Sequence, residues 1–127
     1  MAKNEYVGEF EFRASKKMLF PFFSTASGLA QWFADDVNIR PDKTFSFIWD
    51  GEESIAKLSS IRSNHHVRFD VVNEEDDDPN FFEFTIDMNE LTQSVYVRIN
   101  DYSDMDDEEA QELWDGLIHE LKEIVGG

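Results

Sequence analysis

The sequence predicts an α+β fold in two layers, an antiparallel sheet covered by one long C-terminal helix. Three observations predict it. The middle of the chain repeats its apolar residues with a period of two, and the connections between these segments are too short for crossover helices. From Asp104 to Val125 the period changes to that of a helix. Written at 100° per residue, Ala110, Leu113, Trp114, Leu117, Ile118, Leu121, Ile124 and Val125 fall within an arc of roughly 140°. Gln111, Glu112, Asp115, Gly116, His119, Glu120, Lys122 and Glu123 take the opposite side. A helix over Asp107 to Val125 would be about 28 Å long. Ser103 or Asp104 can cap its start, acidic residues fill the first turn, and Gly126 is a stop signal. At ~1.5–3 kcal/mol for each large side chain buried, the stripe contributes on the order of 10 kcal/mol before ordering entropy. No other stretch is large enough to cover a sheet.

Tyr6 to Phe12 alternates, with Tyr6, Gly8, Phe10 and Phe12 on one face and Val7, Glu9, Glu11 and Arg13 on the other, which predicts a strand. Ser15 reads as a helix cap, and Leu19, Phe22 and Phe23 follow at helical spacing, with Pro21 predicting a kink or an irregular turn. After Ser24-Thr25-Ala26-Ser27-Gly28, the residues Leu29, Trp32 and Phe33 predict a second short helix that ends at Asp35-Asp36. Phe45, Phe47 and Trp49 alternate with Thr44, Ser46 and Ile48 before a turn at Asp50-Gly51. Ser54 to Ile61 is a weaker strand with no clear buried face, and Ser63-Asn64 is the next turn. Val67, Phe69 and Val71 share one face. The acidic run Glu74 to Asp78 and Pro79 form a solvated connection. Phe82, Phe84, Ile86 and Met88 alternate next, Asn89 to Gln93 turns the chain, and Val95, Val97 and Ile99 form the last strand.

At 127 residues the chain is long enough for one domain, 1–127, with one sizeable core. Twelve Phe, three Trp and three Tyr exclude a disordered chain despite the charge. The 11 Lys and Arg against 28 Asp and Glu leave a net charge of −17, which repels phosphate backbones and anionic lipid, so no nucleic-acid partner is expected. There is no Cys, hence no disulfide, thiolate nucleophile or thiolate metal site. No apolar leader region opens the sequence and no window approaches a spanning helix, so membrane insertion is not expected and a cytoplasmic location is.

The blocks Leu19-Phe20-Pro21-Phe22-Phe23-Ser24-Thr25, Ser27-Gly28-Leu29 and Trp32-Phe33-Ala34-Asp35-Asp36-Val37 resemble the helix pair of a small family of acidic, single-domain bacterial START-like proteins. Leu113-Trp114-Asp115 with Ile118 and Leu121-Lys122 looks like that family's terminal helix, and Phe45 to Asp50, Phe82-Glu83-Phe84 and Asp101-Tyr102 fit as well. The order of elements resembles the START-like (SRPBCC, helix-grip) superfamily. That resemblance implies a curved antiparallel sheet of about six or seven strands gripping the terminal helix, with two short helices after the first strand. The activators of the heat-shock ATPase are similar only in the Leu-x-x-Trp-Phe and terminal-Trp positions. The superfamily hosts lipid carriers, cyclases, hydroxylase domains and co-chaperones, so the fold does not fix the function.

Catalytic candidates are few. His119 lies opposite the apolar arc, and His65 and His66 are adjacent, so on a strand they point to opposite faces and cannot grip one metal together. His65 is the inward one, at a rim position beside Asn64. Glu74 to Asp78 lacks the Gly and terminal Glu of an EF-hand loop, and Asp104, Asp106 and Asp107 suit a helix N-terminus. No Gly-x-Ser-x-Gly or phosphate-cradling glycine loop is present, and no cofactor or metal is expected. Glu9, Glu11, Asp70, Glu83 and Asp87 fall on the faces opposite the aromatic ones.

What remains is the apolar interior. Phe10, Phe12, Phe45, Phe47, Trp49, Phe69, Phe84, Ile86, Val97, Trp114 and Ile118 converge between sheet and helix, as plain core or as the wall of a cavity for a small apolar or amphipathic ligand. The lining expected for such a cavity is Trp32, Phe33, Phe45, Phe47, Trp49, Phe69, Phe84, Ile86, Trp114 and Ile118, with Trp32-Phe33 at its mouth. The other function class is a protein-interaction or co-chaperone-like adaptor with a solid core, docking a partner through Trp32, Phe33 and neighbouring loops. A monomer or weak dimer is expected in either case.

Overall fold

Period-two segments become strands wherever one face can be buried, and seven do so here. The computed structural model describes residues 2–73 and 75–127. In chain order the elements are β1 (Asn4–Phe12), α1 (Lys16–Ser24), α2 (Ala26–Leu29), β2 (Asp36–Ile39), β3 (Phe45–Trp49), β4 (Glu52–Arg62), β5 (His66–Val71), β6 (Phe81–Met88), β7 (Val95–Ser103) and α3 (Asp107–Val125). The strands form one antiparallel, curved and unclosed sheet in the order β1-β7-β6-β5-β4-β3-β2. Six strands, β2 to β7, form a meander, and its last strand comes back to pair with β1 along its whole length, Asn4 with Ser103 to Phe12 with Val95. Helices α1 and α2 and the long α3 lie on the concave, apolar side, which is the helix-grip arrangement.

Most expected elements fall where the periodicity puts them, and the departures have local causes. Strand β2 was not expected, because Asp36–Ile39 is short and only Val37 is buried. The second helix stops at Leu29, so Trp32 and Phe33 sit in the turn that follows, and Asp36 opens a strand rather than ending a helix. Helix α1 runs through Pro21 without ending there. The inner face of β4 is that of Ala56, and a register shift between Leu58 and Ser60 breaks the alternation that would have shown it. Asp106, not Ser103 or Asp104, caps α3: its carboxylate accepts from the Glu109 N–H at 2.8 Å, while Ser103 still belongs to β7. Leu113 and Ile124, counted with the apolar arc, are exposed at 44% and 42%. The buried stripe of α3 is therefore narrower: Ala110, Trp114, Ile118 and Leu121. Of the acidic connection, Glu74 lies outside the described residues; Asp76 and Asp78 pair with Lys3 and with the Tyr102 hydroxyl.

Two backbone features place the site. The β3–β4 turn uses Asp50 at φ 50° and Gly51 at φ 79°, the left-handed pair that a two-residue hairpin requires. Gly28 touches α1 so closely that an added Cβ would lie 2.1 Å from the Pro21 carbonyl oxygen. That approach fixes α1 against α2 and directs the next turn, with Trp32 and Phe33, into the interior.

Candidate functional site

Helix α3 lies nearest β1, at one edge of the sheet. There the Tyr6 hydroxyl donates to Gln111 Oε1 at 3.1 Å, the Asn4 amide donates to Asp107 Oδ1 at 2.7 Å, and the Lys122 ammonium sits 5.4 Å from the Phe12 ring centre. On its other flank the helix stands away from the sheet. A half-open hollow of about 430 Å3 lies between them, bounded by Phe33, Trp49, Ser54, Val71, Asn80, Phe81, Phe82, Asp101, Ser103, Met105, Leu113, Trp114 and Leu117. A second hollow of about 320 Å3 adjoins it, and Phe33, Trp49 and Leu117 border both.

The sequence of β4 explains why this part of the interior is not filled. Ser54 and Ala56 pair with Phe47 and Phe45, so small side chains stand beside large rings on the inner face. The remaining walls are held by three indoles, each with its N–H satisfied. Trp49 Nε1 donates to the Phe33 carbonyl at 2.6 Å, Trp32 Nε1 to the Phe22 carbonyl at 2.8 Å, and Trp114 Nε1 to Asp101 Oδ2 at 2.7 Å. Phe33 stacks on Trp114 at 5.7 Å and meets Trp49 edge-on at 5.2 Å. Rings braced this way do not collapse into the gap.

One ionisable side chain belongs to the wall. Asp101 continues the inward series Val95, Val97, Ile99 on β7 and is 7% exposed. Burial raises its carboxyl above the ordinary value, and the hydrogen bonds from Trp114 and Ser103 act in the opposite direction. The sequence reading missed Asp101, although simple extension of the β7 alternation would have reached it. Ser54, Val71, Asn80, Met105 and Leu117 were also missed as lining residues, because only the packing of strand ends against α3 brings them together.

The residues expected to line a cavity divide. Phe33, Trp49 and Trp114 border the larger hollow, and Trp32 borders the smaller one. Phe45, Phe47, Phe69, Phe84, Ile86 and Ile118 lie outside both walls, in the packed interior. Trp32 and Phe33 are only 3% and 4% exposed, so they do not form the docking surface expected under the adaptor reading. His119 is exposed on the outer side of α3. His65 sits at the sheet rim, with Nδ1 3.0 Å from the Ile86 carbonyl oxygen, and His66 meets Glu83 at 2.6 Å on the convex face. Among the described residues, no helix is long and apolar enough to cross a membrane.

The whole chain, residues 1–127, matches the family described as START-like superfamily domain. The solution structure of BfR322 from Bacteroides fragilis is 34% identical and superposes with a TM-score of 0.64, covering 98% of this chain and 92% of that one. The Aha1 dimer from Colwellia psychrerythraea is 17% identical with a TM-score of 0.75, covering 96% of each chain. Protein MLL2253 from Mesorhizobium loti is 12% identical with a TM-score of 0.78 over 97% of each chain, and at this identity the likeness is one of fold. No curated protein matches the sequence.

Proposed function

The chain belongs to the START-like superfamily, and from that premise we propose that it is a non-catalytic binding module whose hollow takes a small apolar or amphipathic molecule. The observation that carries this reading is the 430 Å3 space between α3 and the sheet. It lies within the range of small-molecule sites, about 300–1,000 Å3. At roughly 30 Å3 per water-sized unit it has room for about fourteen non-hydrogen atoms. Kept empty and sealed, a void of that size would forfeit roughly 10 kcal/mol by the cavity coefficient for core truncations. That is on the order of a whole domain's stability. The half-open side relieves the penalty by admitting water, and an apolar occupant that displaces this water gains the transfer energy of its own surface. The wall is mostly apolar, which supports binding: beside Asp101 its polar side chains are Ser54, Asn80, Ser103 and the Trp49 and Trp114 indoles, and both indole N–H groups are taken up by hydrogen bonds within the protein.

Titration with an environment-sensitive fluorescent lipid tests the reading, with native mass spectrometry to count bound molecules. Ser54→Phe places a ring in the space beside Phe47. The wild type is expected to bind one molecule and the variant at least tenfold more weakly, with the fold retained. No binding by the wild type, or equal binding by the filled variant, overturns the proposal.

A further inference from the structure

Asp101 is unusual for an apolar ligand wall. It is the one ionisable side chain bordering the hollow, and no Lys, Arg or His stands among the lining residues described. Trp114 donates to its Oδ2 and Ser103 also hydrogen-bonds to the carboxyl, but a carboxylate offers about four lone-pair sites, so two donors leave acceptor capacity on a side chain that borders the hollow. Around it, Phe33, Trp49, Leu113 and Leu117 offer aromatic faces and aliphatic surface. The arrangement is an apolar slot with one acceptor and no cationic donor. A fatty-acid carboxylate or a phosphate head finds no cationic donor there, and the net charge of −17 repels both before contact. An ammonium head finds the opposite: attraction at a distance, a charge-assisted hydrogen bond to Asp101 and ring faces to sit against.

We infer that the ligand is a cationic amphiphile, an apolar body with an amine head that donates to Asp101. This inference rests on the binding-module reading above. It also gives the buried carboxylate a use, because a group that resists ionisation inside the protein regains a partner when an ammonium arrives.

Three probes of equal chain length separate the possibilities: dodecylamine, dodecanol and dodecanoate, each below its aggregation concentration. They are measured at pH 7 and 0.15 M salt, where a primary amine is charged as a lysine is. Binding is read by displacement of the fluorescent lipid, with wild type and Asp101→Asn. Asparagine retains an oxygen to accept the Trp114 N–H, so the fold is expected to persist. On wild type the amine should bind at least tenfold tighter than the alcohol and a hundredfold tighter than the acid. In Asp101→Asn the amine should fall to the level of the alcohol, whose own binding stays within threefold. At 0.5 M salt the preference should survive in the wild type, since the Debye length there is only about 4 Å and long-range attraction is screened. The Trp114 indole N–H resonance of the unmutated protein gives a second readout: it should shift with the amine and not with the alcohol. Equal binding of amine and alcohol overturns this inference alone. A preference that persists in Asp101→Asn, or an indole resonance unmoved by bound amine, overturns it too, leaving only the surface charge as cause. Failure of all three probes to bind overturns the binding-module reading together with it.

Discussion

The two flanks of α3 meet the same sheet and end differently. Toward β1 the helix is tied down, by Tyr6 to Gln111, Asn4 to Asp107 and Lys122 over Phe12. Toward β3–β6 it leaves the 430 Å3 hollow. Geometry alone predicts such an asymmetry. Seven strands at about 4.8 Å spacing make a sheet roughly 29 Å wide, while a helix with its side chains is about 10–12 Å across. One helix can cover only two or three strands. The rest must be covered by something else, and here that is the aromatic group supplied by α1, α2 and the turn after them. Phe23, Trp32 and Phe33 reach Phe84, Phe82 and Trp114 with ring centres 4.8–6.5 Å apart. Where their reach stops, beside Ser54 and Val71, the hollow begins. The difference teaches that the space follows from the proportions of the elements and the small residues of β4.

The contrast is broken most directly at its packed side. Phe84 is fully buried and lies against Phe23, Trp32, Phe82 and Trp114. Phe84→Ala should lower unfolding free energy by about 3–5 kcal/mol in a urea titration. A loss below about 1 kcal/mol would show that the rings are loosely arranged and that the interior has no solid half.

How much of this could be read from sequence depends on the kind of signal. The packed half was legible, because Phe45, Phe47, Phe69, Phe84 and Ile86 repeat at the period of a strand and are buried as that period requires. Trp114 and Ile118 followed from the helical arc. Elements failed where the period is cut short. Strand β2 buries only Val37, and the shift between Leu58 and Ser60 interrupts β4. The hollow itself was not legible, since periodicity says which face a residue takes and not whether facing surfaces meet. Phe33, Trp49 and Trp114 border it, while their neighbours with the same signal are core. Trp32 and Phe33, read as candidates for an exposed docking surface, are buried because the Gly28 contact turns their segment inward.

Trp114 stands at the boundary of the two halves and sharpens the comparison. Trp114→Phe keeps a ring in place but removes the N–H that Asp101 accepts at 2.7 Å. A buried acceptor left without its donor costs about 1–3 kcal/mol. The variant should lose that much in chemical denaturation while near-ultraviolet dichroism still reports an ordered aromatic interior. An unchanged midpoint would mean that water from the hollow replaces the indole at once.

Asp101 adds a pH signature. Its carboxyl is raised by burial above the ordinary value of 3.8, so over the window just above that value the folded protein holds the proton longer than the unfolded chain. Stability from this group is present at low pH and is lost as pH rises through the window. Asp101→Asn has no proton to lose there, so its midpoint should gain on the wild type as pH rises above the ordinary carboxyl value and through the raised one. Thermal melts across that range measure the difference. A gap that is constant, or that narrows as pH rises, would contradict the burial argument.

The smallest expected effect is the most diagnostic of the open flank. Leu113 belongs to the apolar stripe by sequence and borders the hollow, yet it remains 44% exposed. A leucine truncated in a packed core loses about 2–5 kcal/mol, through transfer of the removed atoms and through the cavity left behind. Neither contribution applies fully here. Nearly half of the side chain is already in water, and the space beside it already exists, so removing three carbons widens an opening without creating a void. Leu113→Ala should therefore change stability by no more than about 0.5 kcal/mol, within the ordinary range for surface positions. Alanine's higher helix propensity offsets part of even that. Ligand affinity should respond more than stability, falling severalfold as apolar wall is lost. A stability loss above about 2 kcal/mol would place Leu113 in a closed core in solution, and would mean that the helix settles onto the sheet on both flanks.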